Sequence, residues 1–184
     1  LEFRRVLFRS PEFSTNSGVF LVAPAGRIGS AASQLAQLCQ WRLLPDWPGD
    51  LADSNRAFQA LTAEAPGWLQ PLALDPGRTI SGWDCWAEAL GAWRIPTCLV
   101  CSDADRAAGL ARSHWALLRH YRVPLLGLIQ AGGDWSSADR RTEGLPWLGH
   151  LGDQEASAEL RLRLIAASGA AAAAPPAPAS MPSH

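Results

Sequence analysis

Two apolar segments joined by a helical segment constrain the fold of this chain more than any other feature. The segments IPTCLVC (residues 95–101) and VPLLGLIQAGG (residues 123–133) are nearly uninterrupted apolar runs. Between them lies RAAGLARSHWALLRHYR (residues 106–122), which is typical of one long helix. Strands this apolar are buried on both faces, as in parallel sheets, and a parallel strand–helix–strand crossover is nearly always right-handed. These residues therefore predict a parallel, right-handed βαβ unit.

The same alternation of strand and helix extends over most of the chain. Further strands are predicted at residues 18–23, 42–50, 68–74 and 144–151. Further helices are predicted at residues 30–41, 51–65, 83–93 and 155–165, from apolar residues at helical spacing. Repeated alternation predicts a single α/β domain: a mostly parallel sheet with helices on both faces, which is a Rossmann-like three-layer sandwich.

The two ends of the chain are expected to lie outside this domain. Residues 1–10 (LEFRRVLFRS) correspond to the translation of a sequencing-library adapter, so we interpret them as an artefact and exclude them from the fold. Residues 11–17 are a lead-in of uncertain origin, and the true N-terminus is not defined. Residues 166–184 are rich in Ala and Pro and predict a disordered tail. The α/β domain is therefore assigned to residues 18–165.

Composition excludes several classes of function. The net charge of -1 provides no electrostatic footprint for nucleic acid or an acidic membrane surface. No apolar run approaches the ~20 residues that span a bilayer. The histidines lack metal-ligand spacing. Cys98 and Cys101 form a C-x-x-C pair that could be a redox or metal pair, but they lie in an apolar strand, so we expect buried thiols and no metal site. Without a visible signal peptide, a cytoplasmic location is expected.

The loop after the first predicted strand is the candidate functional motif. Residues 21–33 (LVAPAGRIGSAAS) lead from a strand, through Pro24 and two glycines, into a helical segment. Many α/β proteins bind a phosphate at such a point, because the backbone N–H groups and the dipole of the helix N-terminus attract an anion. The candidate binding residues are Gly26, Arg27, Ile28, Gly29, Ser30 and Ala31.

One family that this loop resembles is the extended short-chain dehydrogenases, whose NAD(P)-binding loop is often GATGRIGS. The resemblance implies an acidic or basic residue after the second strand to bind the ribose, for which Asp46 is the candidate. It also implies a catalytic Tyr-x-x-x-Lys pair. The single tyrosine is Tyr121 and the chain contains no lysine, which excludes ordinary short-chain dehydrogenase chemistry.

A second family explains more of the chain. Residues 95–151 resemble the C-terminal half of dethiobiotin synthetases, in which an LPV(V/L)LV strand and a long helix precede the motifs G(L/I)P(V/L)LGxVxNG and (I/L)PxLG. The matching residues are Ile95-Pro96, Val123-Pro124-Leu125-Leu126-Gly127 and Leu145-Pro146-Trp147-Leu148-Gly149. Upstream, the family's GTDTxVGKT loop aligns with residues 23–31, its YxKPVxSG strand with residues 42–49 at Pro45 and Gly49, and its EGAGG loop with residues 75–82. The resemblance covers most of residues 19–151.

This resemblance implies a P-loop NTPase fold, ATP- and Mg²⁺-dependent ligase chemistry in biotin biosynthesis, and a homodimer. The P-loop Lys, which neutralises phosphate charge, aligns with Ser30, and the following Thr, which holds Mg²⁺, aligns with Ala31. The family's second Lys aligns with Leu44, and its adenine-reading Asn-Gly aligns with Gln130-Ala131. All 16 basic residues are arginines. We therefore predict a pseudoenzyme or divergent nucleotide-binding module that binds ATP weakly or not at all, rather than an active ligase.

Polar residues after other strands could line the same site, because ligands collect at the carboxyl ends of parallel strands. Asp75 aligns near the family's metal-facing carboxylate, but it could instead form a turn with Pro76-Gly77. Asp103 and Asp105 follow the strand of the βαβ unit and could instead be a helix N-cap pair. Gln130 ends the next strand. Two tryptophans in loops, Trp47 and Trp135, could frame a ligand or partner surface.

Overall fold

Strands and helices alternate along the chain from Val19 onward. The structure is a computed structural model, and it describes residues 18–45, 47, 54–152 and 154–173. The strands are β1 (Val19–Val22), β2 (Arg42–Leu43), β3 (Trp68–Pro71), β4 (Thr97–Cys101), β5 (Leu125–Ala131) and β6 (Trp147–Leu151). The helices are α1 (Ala31–Cys39), α2 (Ser54–Thr62), α3 (Trp86–Ala92), α4 (Asp103–Ala107), α5 (Leu110–His120), α6 (Ser137–Thr142) and α7 (Gln154–Ala173).

The six strands of the described residues belong to one sheet with the order β2-β3-β1-β4-β5-β6, and every neighbouring pair is parallel. The predicted α/β class with a parallel sheet is therefore confirmed. The strand β1 lies in the interior of the sheet between β3 and β4, so the loop that follows β1 has neighbours on both sides.

An apolar layer lies on each face of the sheet. Successive side chains of a strand point to opposite faces, and every residue of β1, β3 and β4 is buried, so both faces are covered. Phe20 points to the face covered by α2, α3 and α5, while Leu21 points to the face covered by α1 and α7. Complete burial of such a side chain contributes roughly 1.5–3 kcal/mol each. Helices therefore cover both faces of the sheet, and the three-layer arrangement is confirmed.

Two helical features differ from the prediction. The single helix predicted at residues 106–122 is wrong: α4 ends at Ala107, and α5 begins at Leu110 after Gly109, whose φ is +75°. Glycine adopts this left-handed conformation without steric cost, and it interrupts the helix. The short helix α6 was not predicted, although Ser136 accepts a hydrogen bond from the N–H of Asp139 (3.3 Å) as an N-cap.

The last helix passes the predicted domain boundary at Ile165 and ends at Ala173, and Ser168 within it is buried. Residues 1–17 and 174–184 lie outside the described residues, as do Asp46 and Gly49. Each helix in the described part of the chain is too short or too polar to span a lipid bilayer.

Candidate functional site

The sheet order brings the sequence-predicted site residues together at the carboxyl ends of the strands. The loop after β1 contains residues 23–30, Asp75 follows β3, Asp103 follows β4, and Gln130 is the second-last residue of β5. The strands β3, β1, β4 and β5 are consecutive neighbours in the sheet. Since the carboxyl ends of parallel strands lie on the same side of the sheet, these residues lie around the crevice where open α/β sheets bind ligands.

The loop after β1 is a tight turn with a left-handed backbone. Pro24–Gly26 form a 3-10 turn, in which φ is +52° at Ala25 and +69° at Gly26. A Cβ atom at Gly26 would lie 2.5 Å from backbone atoms of Ala73 and Leu74, so only glycine fits against the loop after β3. The left-handed conformation of Ala25 costs roughly 1–2 kcal/mol and needs a compensating interaction.

That interaction is a hydrogen bond to a carboxylate of the protein itself. The N–H of Ala25 donates to Oδ2 of Asp75 at 2.8 Å, and the N–H of Gly77 donates to Oδ1 of Asp75 at 2.8 Å. Within the loop, the N–H groups of Gly26 and Ile28 donate to the carbonyl oxygens of Ala23 and Gly26, both at 2.9 Å. The position at which the Ala25 N–H would meet a bound anion is therefore taken by Asp75.

The imidazole of His114 makes a second contact with the same carboxylate. Its Nε2 lies 3.0 Å from Oδ2 of Asp75, and its Nδ1 lies 2.9 Å from the carbonyl oxygen of Leu110. Both partners are acceptors when Asp75 is ionised, so both contacts are hydrogen bonds only in the doubly protonated imidazolium. Burial opposes ionisation of Asp75, but the N–H groups of Ala25 and Gly77 and the His114 ring outweigh it and hold the pKa of this carboxyl below its ordinary value.

The guanidinium of Arg27, the cation of the predicted phosphate loop, forms an ion pair with Asp105. Asp105 is only 3% exposed, whereas Arg27 is 59% exposed. Asp105 also accepts hydrogen bonds from the backbone N–H and the hydroxyl of Ser102 at 3.0 and 2.7 Å. Burial by itself raises the pKa of Asp105. The hydrogen bonds from Ser102 and Arg27 lower the pKa by more than burial raises it, so the net shift is downward.

The alternative interpretation of Asp103 and Asp105 as an N-cap pair is partly correct. The N-cap of α4 is Ser102, and Asp105 completes a capping box with it. Asp103 instead accepts a hydrogen bond from Nε of Arg106 at 2.9 Å and remains 45% exposed at the edge of the sheet. Asp103 is therefore the more accessible of these two carboxylates.

Gln130 has a fully buried side chain whose polar atoms all have protein partners. Its Oε1 accepts from Nε and Nη2 of Arg140 at 2.9 and 2.7 Å. Its Nε2 donates to the carbonyl oxygens of Gly132 and Asp134 at 2.9 and 3.0 Å. The amide of Gln130 is thus used to hold the loop after β5 together with α6.

The dethiobiotin synthetase resemblance aligns Ser30 and Leu44 with lysines and Ala31 with a threonine, and none of these three side chains is charged. Ser30 is exposed, and its hydroxyl accepts from Nε2 of Gln34 at 3.0 Å instead of capping α1. Ala31 is buried, and Leu44 packs against the apolar layer on the Phe20 side of the sheet. Within the described ranges, no three residues of the types His, Cys, Asp and Glu are grouped so that they could hold a metal ion.

The prediction of buried thiols is confirmed. Cys39, Cys85, Cys98 and Cys101 are free and buried. Burial raises the pKa of Cys39 to about 11 and that of Cys101 to about 12, and it raises the pKa of Cys98 still further from its ordinary value. Of the two loop tryptophans, Trp47 is 7% exposed and packs on Phe20 and Phe58 in the core, so its proposed role at a surface is wrong.

Trp135 remains at a surface. Its ring stacks on the ring of His150 with centroids 5.9 Å apart and planes 10° apart. It is half-buried in the loop between β5 and α6.

Comparison with known proteins assigns no family. No model of a known protein family matches the chain, and a search of curated proteins finds no match. The resemblance to dethiobiotin synthetases therefore depends only on the sequence motifs described above, within residues 19–151.

Proposed function

We propose that this chain is a divergent relative of the dethiobiotin synthetase-like P-loop proteins that has lost the ligase reaction. In this proposal it is a pseudoenzyme or a weak nucleotide-binding module. The observation that carries the proposal is the hydrogen bond from the Ala25 N–H to Asp75, because it puts a protein carboxylate where a phosphate would bind.

Electrostatics makes binding of a triphosphate unfavourable in this arrangement. A phosphate approaching the loop meets the negative charge of Asp75, because an aspartate is ionised at neutral pH and the pKa of this one is lowered further. It also finds Arg27 paired with Asp105. A nucleotide must displace one carboxylate and compete with another for a guanidinium, so its net binding energy is small.

Catalysis needs groups that this chain lacks. A P-loop enzyme stabilises the charge that develops on the transferred phosphoryl group with a lysine and with Mg²⁺ held by a Ser or Thr hydroxyl. The aligned residues are Ser30 and Ala31, Leu44 replaces the second lysine, and the chain has no lysine elsewhere. The absence of these groups supports a binding role over ligase activity.

The strand order weighs against the alternative of an NAD(P)-binding protein. In the dinucleotide-binding fold the second strand lies beside the first, and an acidic residue after it binds the ribose. Here β3 lies beside β1, and β2 is at the edge of the sheet. Asp46, the candidate ribose-binding residue, follows that edge strand and lies outside the described residues.

A calorimetric titration of nucleotides into the native chain and the Asp75→Ala variant tests the proposal. We expect weak ATP binding that is sensitive to salt and indifferent to Mg²⁺, and about three- to tenfold tighter binding once the competing carboxylate is removed. Asp84→Ala is the matched control, because it removes the same charge from an exposed residue before α3. Tight Mg²⁺-dependent ATP binding, formation of dethiobiotin, or tight NADPH binding without ATP binding would each contradict the proposal.

Restoring the family's loop provides a second test. The double substitution Ser30→Lys, Ala31→Thr in the Asp75→Ala variant supplies the missing cation and Mg²⁺ ligand, so ATP binding should become tighter and Mg²⁺-dependent. Ligase activity is not expected to return, since Leu44 still replaces the second lysine. If ATP binding stays undetectable while NADPH binds the native chain, the loop is unrelated to a P-loop.

A further inference from the structure

A second concave site lies beside the edge strand β6. The cavity has a volume of about 410 Å³, and its walls come from the loop before α6, from α6 itself, from the start of β6 and from α7. None of the residues that line it belongs to the loop after β1. Its volume falls within the range of roughly 300–1,000 Å³ that is usual for small-molecule sites.

Two tryptophans form an aromatic corner in this cavity. The ring centroids of Trp135 and Trp147 are 6.1 Å apart, and the ring planes meet at 79°. The indole N–H of Trp147 donates to Oε2 of Glu143 at 2.9 Å, and that of Trp135 donates to the hydroxyl of Ser137 at 3.1 Å. Because these bonds and the stacking on His150 hold the rings, the corner is already formed without a ligand.

A buried arginine, which also lines the cavity, lies over both rings of this corner. The guanidinium of Arg140 is 5.4 Å from the Trp135 ring and 5.6 Å from the Trp147 ring, within cation–π distance. Its side chain is 5% exposed, and it pairs with Glu143 at 3.0 Å and with Gln130. The charge of Arg140 is thus neutralised inside the protein and is not available to a ligand.

One positive charge at the cavity has no carboxylate partner in the described chain. Arg163 pairs with Glu159 and donates to the carbonyl oxygen of Leu148 at 3.1 Å. Arg141 is exposed, and its Nε donates to the carbonyl oxygen of Ser137 at 3.2 Å. Among the cavity's charged residues, Arg141 alone forms no ion pair with a described residue.

From these features we infer that the cavity binds a small planar aromatic carboxylate. The ring would pack into the corner of Trp135 and Trp147, and the carboxylate would pair with the planar guanidinium of Arg141, whose geometry suits two parallel hydrogen bonds. A single negative charge matches the single unpaired guanidinium. A multiply charged phosphate would face Glu159 on the same wall and lack a second free cation among the described residues of the cavity.

Calorimetry with 2-naphthoate, and with 2-naphthamide as a neutral probe of the same ring system, tests this inference. We expect the amide to bind about tenfold or more weakly, since hydrogen bonds between charged groups contribute about 1.5–3 kcal/mol. Arg141→Gln should weaken naphthoate binding about tenfold and leave amide binding nearly unchanged. Trp135→Leu should abolish binding of both probes, with circular dichroism verifying the fold.

The matched control is Arg56→Gln, which removes the same charge from an exposed residue of α2 near the opposite edge of the sheet. Binding that weakens equally in this control and in Arg141→Gln reflects net charge and overturns the inference. Equal affinity for the acid and the amide, no binding of either probe, or unchanged binding in Trp135→Leu would also overturn it. This test is independent of the loop after β1, so its result is separate from that of the ATP titration.

Discussion

Asp75 and Asp105 are single residues that each connect a loop at the sheet edge to a distant part of the chain. Asp75 joins the loop after β1 to α5 through Ala25 and His114. Asp105 joins the same loop to the start of α4 through Arg27 and Ser102. Both carboxyls have lowered pKa values because they accept several hydrogen bonds as anions. They therefore stabilise the fold only while they are ionised.

The pH dependence of stability should report this directly. A carboxyl whose pKa is lowered by folding contributes stability above its unfolded pKa of about 4 and loses that contribution as the pH falls through its folded pKa. Asp105→Asn should lower the free energy of unfolding at pH 7 by roughly 1.5–3 kcal/mol and flatten the loss of stability on acidification below about pH 4. Urea denaturation at a series of pH values measures both effects.

The control for this prediction is Asp84→Asn, at an exposed carboxylate before α3. It should leave both the stability at pH 7 and the acid profile within about 0.5 kcal/mol of the native values. An acid profile that is unchanged by Asp105→Asn would mean that the Arg27–Asp105 pair does not contribute to stability in solution.

Among the helices, glycine has opposite effects on stability in α3 and α7. Gly91, in α3, lies so close to the end of α5 that a Cβ atom there would be 1.9 Å from the carbonyl oxygen of Tyr121. Gly169, in α7, would place a Cβ atom in open space. Glycine is required for packing in the first helix and lowers helix stability in the second.

Replacing each glycine by alanine should therefore change stability in opposite directions. Gly91→Ala should destabilise the protein by roughly 1–3 kcal/mol, because α3 and α5 must move apart. Gly169→Ala should stabilise it by about 0.5–1 kcal/mol, because alanine restricts the unfolded chain and favours the helix. Thermal denaturation followed by circular dichroism compares the two variants. A stabilising effect of Gly91→Ala would contradict the observed packing of α3 on α5.

Over the whole molecule, the two apolar layers each contain two of the cysteines. Cys39 and Cys98 lie in the layer with Leu21, while Cys85 and Cys101 lie in the layer with Phe20. Burial denies a reagent access to all four thiols and raises the pKa values of Cys39, Cys98 and Cys101, so few thiolates are present at neutral pH. A single assay of thiol reactivity therefore monitors the opening of either apolar layer.

We expect none of the four thiols to react with Ellman's reagent in the native protein at pH 8, and all of them to react after unfolding in guanidinium chloride. Ser33→Cys supplies a control, because Ser33 is exposed on α1 and its replacement thiol should react at once. Rapid reaction of a native thiol without denaturant would contradict the burial seen here and would indicate local opening of one layer.

The homodimer implied by the family resemblance is a separate proposal at this scale, which sedimentation velocity tests.

The sequence by itself determined most of the elements and the class of fold. Strands such as Thr97–Cys101 are almost entirely apolar because both their faces are buried, and helical segments have their own spacing of apolar residues, so local pattern identified them. The loop after β1 and the absence of lysine were also readable without a structure, since both depend only on residue type and order. Helix α6 and the break at Gly109 were missed, because a single N-cap serine or glycine is a weak local signal.

Only the tertiary structure decided what the candidate site contains. The hydrogen bond from Ala25 to Asp75 joins residues 50 positions apart, and the pair of Arg27 with Asp105 joins residues 78 positions apart. No local pattern encodes such partners, because they meet only after the strand order β2-β3-β1-β4-β5-β6 puts β3 and β4 on either side of β1. The sequence therefore predicted where an anion would bind, and long-range packing determined that a carboxylate of the protein already accepts a hydrogen bond from that loop.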